Sequence, residues 1–358
     1  MSNFSLIIPI FNESENIFNL LKEIEELDFK SHKYEIIIVN DASTDNFISI
    51  FDSKKNSRLL KNINQSKYEY VNGSLNNKKK LETIFSINKF DYIINFAAET
   101  HVDQSNYFPE KFFKTNVLGF LNLLEIYNKK RKKSSKFIHV STDEIFGSLK
   151  KNGKSFSETS QIQPNNNYSV SKASSDMLAF TYSKLHNLDL IVTNCCNNFG
   201  EFQHPEKLIP LTIIKCLLKE KIPIYGNGKN IREWIYVQDH CNAIYKLLKK
   251  GKSNERYLIG SGQEKSNIEV VKKICDYFNY LFKGNFNYNK LIKYTRDRLL
   301  HDFRYSINSK KFIKTVDKFN FTKFDKALIK TIEYYINNKD YFLKIYKNTK
   351  WFKHHYKT

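Results

Sequence analysis

Thr142, Asp143 and Glu144 place a hydroxyl and two carboxylates in a row, and Tyr168 and Lys172 follow them four residues apart. On a helix that spacing puts a phenol and an ammonium on one face. A fixed cation beside a phenol favours its ionised form, which makes Tyr168 a candidate base. A base, a polarising hydroxyl and an acid/base carboxylate pair together suit proton and hydride chemistry on a sugar. Alone, each part is ambiguous: Tyr-x-x-x-Lys arises by chance, and an Asp-Glu pair equally caps the start of a short helix.

The apolar run Phe137–Val140 reads as a strand that delivers Ser141–Glu144 at its end, and Ser169–His186 reads as the helix carrying Lys172. Residues 5–10 and Ile36–Val39 read as strands flanking an amphipathic helix with Ile17, Leu20, Leu21, Ile24 and Leu27 on one face. Further strands are expected at Tyr68–Val71, Tyr92–Phe96 and Leu188–Thr193, with helices at Lys78–Ile87 and Lys111–Tyr127. Alternating strands and helices predict an α/β fold with a doubly wound, parallel, Rossmann-like sheet. Ligands of such sheets bind beyond the carboxyl ends of the strands. Ala97–His101, Ser141–Glu144 and Asn194–Asn198 all fall at such ends, which predicts one shared site. After about residue 196 helical patterns at Lys207–Lys219, Asp239–Lys249, Ile268–Leu281 and Asp325–Asn338 predict a smaller mixed lobe, residues 196–358, interleaved with a first domain, residues 1–195.

The chain has 358 residues and a formal net charge of +21, enough length for a large core. The basic charge is dispersed; its densest run, Lys129–Lys133, follows an apolar helix whose C-terminus cations complement. We read it as a solvated face attractive to an anionic small substrate, with no nucleic acid as partner. No stretch reaches membrane-spanning length, and the five cysteines form no CxxC pair, so the expectation is a reduced, cytoplasmic protein without a membrane or metal partner. Cys195 and Cys196 read as small core residues.

Seven ordered stretches carry a resemblance: 95–103 (NFAAETHVD), 141–147 (STDEIFG), 167–176 (NYSVSKASSD), 197–211, 223–241, 264–271 and 297–307. From about Tyr68 to Phe342 the chain resembles the extended short-chain dehydrogenase/reductases, and within them the dTDP-glucose 4,6-dehydratase family. The resemblance implies NAD as cofactor, a nucleotide-diphosphate sugar as substrate and a homodimer. It implies that Thr142 bonds the C4 oxygen, Tyr168 takes its proton, Glu144 removes the C5 proton, Asp143 protonates the departing C6 hydroxyl, and Lys172 binds the nicotinamide ribose. Ala97 and Ala98 would join the cofactor site. Thr100, His101 and Val102 would line the sugar; Asn197, Lys207, Arg232, Arg298 and His301 would hold the nucleotide diphosphate, for which an arginine fork is well shaped. Leu299–Leu300 replaces the family's usual Pro-Gly, and Gln104 stands where arginine is common.

The N-terminal third departs from that family. Its first turn, residues 9–17 (PIFNESENI), has no glycine and two glutamates where a diphosphate would sit against a helix N-terminus. Residues 5–47 instead resemble the N-terminus of GT-A-fold glycosyltransferases, in which Asp41 would match a base-binding aspartate. Asp41 serves equally as a strand-end acid toward a cofactor ribose or as a turn cap.

Overall fold

The computed structural model describes residues 4–10, 34–41, 68–284, 286–298 and 300–348. Twelve strands occur among them: β1 (Phe4–Ile10), β2 (Tyr34–Asp41), β3 (Tyr68–Gly73), β4 (Tyr92–Asn95), β5 (Lys136–Thr142), β6 (Asp189–Cys195), β7 (Asn197–Phe199), β8 (Ile222–Tyr225), β9 (Ile231–Tyr236), β10 (Glu255–Ile259), β11 (Glu264–Ser266) and β12 (Ile292–Thr295). Seven form one sheet in the order β10-β6-β5-β4-β1-β2-β3. Every neighbouring pair in it is parallel, as the near-continuous apolar runs require of strands covered on both faces. The order reverses between β1 and β4, the switch point at which such sheets open a crevice. Among the described residues, Leu6–Tyr92 and Ile7–Ile93 are the pairs across that point, whereas β1 and β2 align from Phe4–Tyr34 to Ile10–Asn40.

The main helices are α1 (Lys78–Ile87), α2 (Phe120–Lys130), α3 (Asn167–His186), α4 (Leu208–Leu218), α5 (Val237–Lys250), α6 (Asn267–Leu281) and α7 (Phe324–Asn337). The single helix expected over Lys111–Tyr127 is instead a short helix at Pro109–Phe113, a π-helical turn at Lys114–Gly119, and α2. Two cores result. One packs α1 and α2 on the sheet through Leu81, Phe85, Leu123 and Tyr127; the other joins the sheet to α4–α7 through Ile213, Ile244, Ile274 and Ile332. The C-terminal half adds the pairs β8–β12 and β7–β9–β11, which the sequence pattern did not announce.

α3 begins where expected because Asn166 accepts from the Ser169 amide at 2.9 Å while the Ser169 hydroxyl reaches back, a reciprocal cap. It ends at Asn187 in the left-handed conformation. The residues 11–17 of the glycine-free turn lie outside those described. Asp41 closes β2, so its backbone stands at a strand end beside the crevice; its side chain lies outside the described residues.

Candidate active site

β5 ends in Thr142, whose hydroxyl accepts from the Glu144 amide at 3.3 Å and starts a short 3₁₀ turn, Asp143–Phe146. Gly147 ends the turn at φ +80°, where a Cβ would stand 2.3 Å from the Gln163 carbonyl oxygen, so only glycine fits. The turn separates the two carboxylates. Asp143 is 1% exposed, whereas Glu144 reaches the open cleft. The three strand-end clusters line one cavity, together with Tyr168 and Lys172 from α3. A second cavity adjoins it, and Thr100, His101, Glu144, Asn197 and Lys207 line both.

Burial pushes both carboxyls upward. Asp143 goes well above the ordinary range because burial is reinforced by the Glu144 and Glu233 carboxylates, and Arg232 only partly opposes them. Glu144 is raised by burial too, but Arg232, Lys207 and Arg298 pull it back. A protonated Asp143 beside a more readily ionised Glu144 is an acid next to a base. The phenol behaves against expectation. Burial, and then the Glu144 carboxylate, push Tyr168 well above the ordinary tyrosine value, while a Thr142 hydrogen bond opposes this. Lys172 donates to the Val140 carbonyl at 2.9 Å, and burial lowers it to about 8 against the pull of Asp176. The i, i+4 cation therefore does not leave the phenol ionised in the free protein.

The second cavity gathers the remaining cations. Arg232 lies 4.3 Å over the Tyr305 ring and donates to the Asp302 carbonyl at 3.0 Å. Arg298 lies 4.4 Å over Tyr225 and pairs with Asp103 at 2.9 Å. His301 meets Asp297 at 2.6 Å, and burial lowers its pKa despite that partner. Between the cavities, Glu206 stands 3.3 Å from Lys207, 3.7 Å from His101 and 3.6 Å from His204. The sequence reading omitted Glu206, Asp302 and Tyr305. Glu206 lies in the fourth of the seven stretches, 197–211, beside Lys207, and Asp302 and Tyr305 lie in the seventh, 297–307, which has no helical or strand period to mark them. Cys196 is a core residue as expected and Cys195 packs against that core, and both also line the first cavity.

Ser141 Oγ, Asp143 Oδ2 and Asn197 Oδ1 are buried without a hydrogen-bond partner, and all three residues line that first cavity. Buried polar atoms left in this way ask for a polar ligand. With Ala98, Tyr168 and Lys172 beside them, the lining fits the nicotinamide and ribose of a dinucleotide.

Known proteins agree. Residues 28–327 match the protein family described as GDP-mannose 4,6 dehydratase. A dTDP-glucose 4,6-dehydratase of Escherichia coli is 37% identical over 301 residues, 79% of this chain and 83% of its own. The chain belongs to the dTDP-glucose 4,6-dehydratase family. A second relative, from Xanthomonas campestris, is 39% identical over 280 residues, 75% of this chain and 79% of its own. Among solved structures, the dTDP-glucose 4,6-dehydratase of Bacillus anthracis in complex with NAD superposes with a TM-score of 0.80 at 34% identity, covering 96% of this chain and 99% of that one. The Streptomyces venezuelae dTDP-glucose 4,6-dehydratase, also with NAD bound, gives 0.82 at 28% identity over 96% and 100%.

Proposed function

We propose that this protein is an NAD-dependent nucleotide-sugar 4,6-dehydratase that converts dTDP-glucose to dTDP-4-keto-6-deoxyglucose. The observation that carries the reading is the turn Asp143–Phe146, which holds a proton-bearing Asp143 next to Glu144 at the cavity that Tyr168 and Lys172 line. An epimerase that removes and returns hydride at one carbon has no use for that pair.

NAD, when bound, supplies the acceptor for the C4 hydride and its later return to C6. Lys172 and Tyr168 would hold its nicotinamide ribose, with Ala97 and Ala98 alongside. Thr142 bonds the C4 oxygen, and Tyr168 would accept its proton as C4 is oxidised, a role that needs the phenol ionised by a cation bound beside it. The resulting ketone acidifies the C5 hydrogen, which Glu144 removes as general base. Asp143 delivers its proton to the departing C6 hydroxyl, which leaves as water, and Glu144 gives a proton back to C5 as C6 is reduced. Thr100 and His101 face the sugar, and Asn197, Lys207, Arg232, Arg298 and His301 the nucleotide diphosphate. Residues 1–195 thus carry the cofactor, the chemistry and the sugar contacts of Thr100 and His101, and 196–358 the nucleotide-diphosphate contacts. The thiols, all free among the described residues, accord with a reducing cytoplasmic setting.

The test is purified protein incubated with dTDP-glucose in deuterated water. Loss of one water and deuterium at C5 are expected. Glu144→Gln should cut elimination by about 10²–10⁴-fold, the usual worth of a general base, while C4 hydride exchange persists. Simultaneous loss of both would overturn the role of Glu144.

One observation favours a second reading, a nucleotide-sugar-binding chimera without a working NAD site: the glycine-free turn with Glu13 and Glu15. Absence of NAD from the purified protein, with no saturable NAD binding by calorimetry, would establish it over the dehydratase. The homodimer is proposed to form through the outer face of α3 and the π-helical turn that precedes α2, where Leu118, Met177 and Leu185 are exposed. Met177→Glu should then yield monomers in equilibrium sedimentation; an unchanged dimer would exclude this face.

A further inference from the structure

Asp176 closes the 167–176 stretch, yet no step above uses it. It is fully buried on α3, one turn beyond Lys172, as Lys172 is one turn beyond Tyr168. Its ion-pair partner is Arg256 of β10, the edge strand of the sheet, and the buried His139 of β5 stands 3.6 Å from its other carboxylate oxygen. One guanidinium nitrogen, Nη1, donates both to Asp176 Oδ2 at 2.8 Å and to Asn194 Oδ1 at 2.6 Å. Asn194 in turn donates to Asp176 Oδ2 at 3.0 Å and to the Thr142 carbonyl at 2.9 Å. The same guanidinium lies 5.6 Å from the Phe146 ring, in the turn that carries Asp143 and Glu144, and 5.1 Å from Phe180 of α3.

Resting on the dehydratase reading, we infer that Arg256, Asp176 and Asn194 form a positioning relay that fixes the Thr142–Glu144 turn against the Tyr168–Lys172 face of α3. The two halves of the site come from separate elements, and this relay bonds to both. An unpaired buried charge is costly, so loss of either Arg256 or Asn194 would leave Asp176 Oδ2 short of a partner, and their shared bonds favour one arrangement of Thr142 relative to α3. Arginine suits the position because its flat cation packs on two aromatic faces while donating at its edge. Lys311 donates to the Arg256 carbonyl at 2.8 Å, which anchors the strand from behind.

The relay also bears on Lys172. The charged or titratable groups facing that ammonium are Asp176 and Tyr168 on its own helix, His139 on β5 and Cys195 on β6. Burial, with Lys172 and Arg256 nearby, holds His139 well below its usual pKa, so it is neutral; burial likewise keeps Cys195 protonated, near 12. Asp176 is the anion of the set.

The experiment compares Arg256→Met, Arg256→Lys and Asp176→Asn in the full chain, by steady-state kinetics, pH profile and amide hydrogen exchange of residues 141–147. Ångström-scale misplacement costs up to about 10²-fold, so Arg256→Met should lower kcat about 10- to 100-fold with KM near that of the unaltered protein. Arg256→Lys should recover part of that loss. Asp176→Asn should move the alkaline limb to lower pH, because Lys172 loses its anion. Exchange across 141–147 should quicken in Arg256→Met and Asp176→Asn. If stability falls but kcat, the pH limb and exchange at 141–147 do not change, the relay is merely structural and the proposal fails. Should Arg256→Met not fold, Arg256→Lys and Asp176→Asn decide on the same readouts. If the unaltered protein does not dehydrate dTDP-glucose, the dehydratase reading fails, and exchange at 141–147 still decides the relay.

Discussion

Replacing Glu206 with glutamine separates the stability of this site from its affinity. Burial would raise this carboxyl, but Lys207, His101 and His204 outweigh it and bring it to about 2 from 4.5. The side chain is 15% exposed, so solvent screening is modest. Each unit is worth about 1.4 kcal/mol, so ionised Glu206 contributes about 3 kcal/mol at neutral pH. The folded value lies below the unfolded one, so that contribution is complete above pH 4.5 and drains away as pH falls toward 2. About 1.5 kcal/mol of it remains at pH 3. Urea unfolding of the native protein and Glu206→Gln at pH 7 and pH 3 should therefore differ by about 3 and about 1.5 kcal/mol respectively. Lys207, relieved of a counter-charge at the junction of the cavities, should bind the substrate diphosphate at least as tightly, so KM should not rise. A difference below about 1 kcal/mol at pH 7, or an equal one at both pH values, would refute the charge assignment.

His240 offers a separate window. Burial lowers it to about 4, so the folded chain refuses a proton that the unfolded chain accepts below pH 6.5. Stability should fall by about 3 kcal/mol between pH 6.5 and 4, and His240→Gln should flatten that slope in the same urea series. Gly147→Ala should cost about 1–3 kcal/mol in thermal or urea unfolding, and more in kcat than in KM, because the strain sits in the turn bearing Asp143 and Glu144.

Strand ends and α3 were legible because their signals are local: apolar runs that stop at polar clusters, and a cap that Asn166 and Ser169 write into the sequence. The grouping of Thr100, His101, Thr142, Glu144 and Asn197 around one cavity followed from strand-end logic, and Tyr168 and Lys172 joined them through their helical spacing and the family resemblance. The π-helical turn at Lys114–Gly119 was not legible, since its residues fit an ordinary helix and only packing decides the extra residue. Arg256 reads as one more basic residue in a basic chain, and its burial depends on Asp176 and Asn194, which lie far away in sequence. The direction of the Tyr168 shift was missed for a related reason: spacing reveals the neighbouring cation but not how little water reaches the phenol.

The sparse pairing between β1 and β4 gives this sheet a seam. Among the described residues, strands β1–β3 pair with one another along most of their length, while two residue pairs join β1 to β4 at the switch point. Backbone pairing ignores side-chain identity, so any parallel strand–helix–strand segment of the right length can close the seam. The catalytic residues all lie on the far side. A first turn that reads like one family and a catalytic half that belongs to another are what that architecture permits.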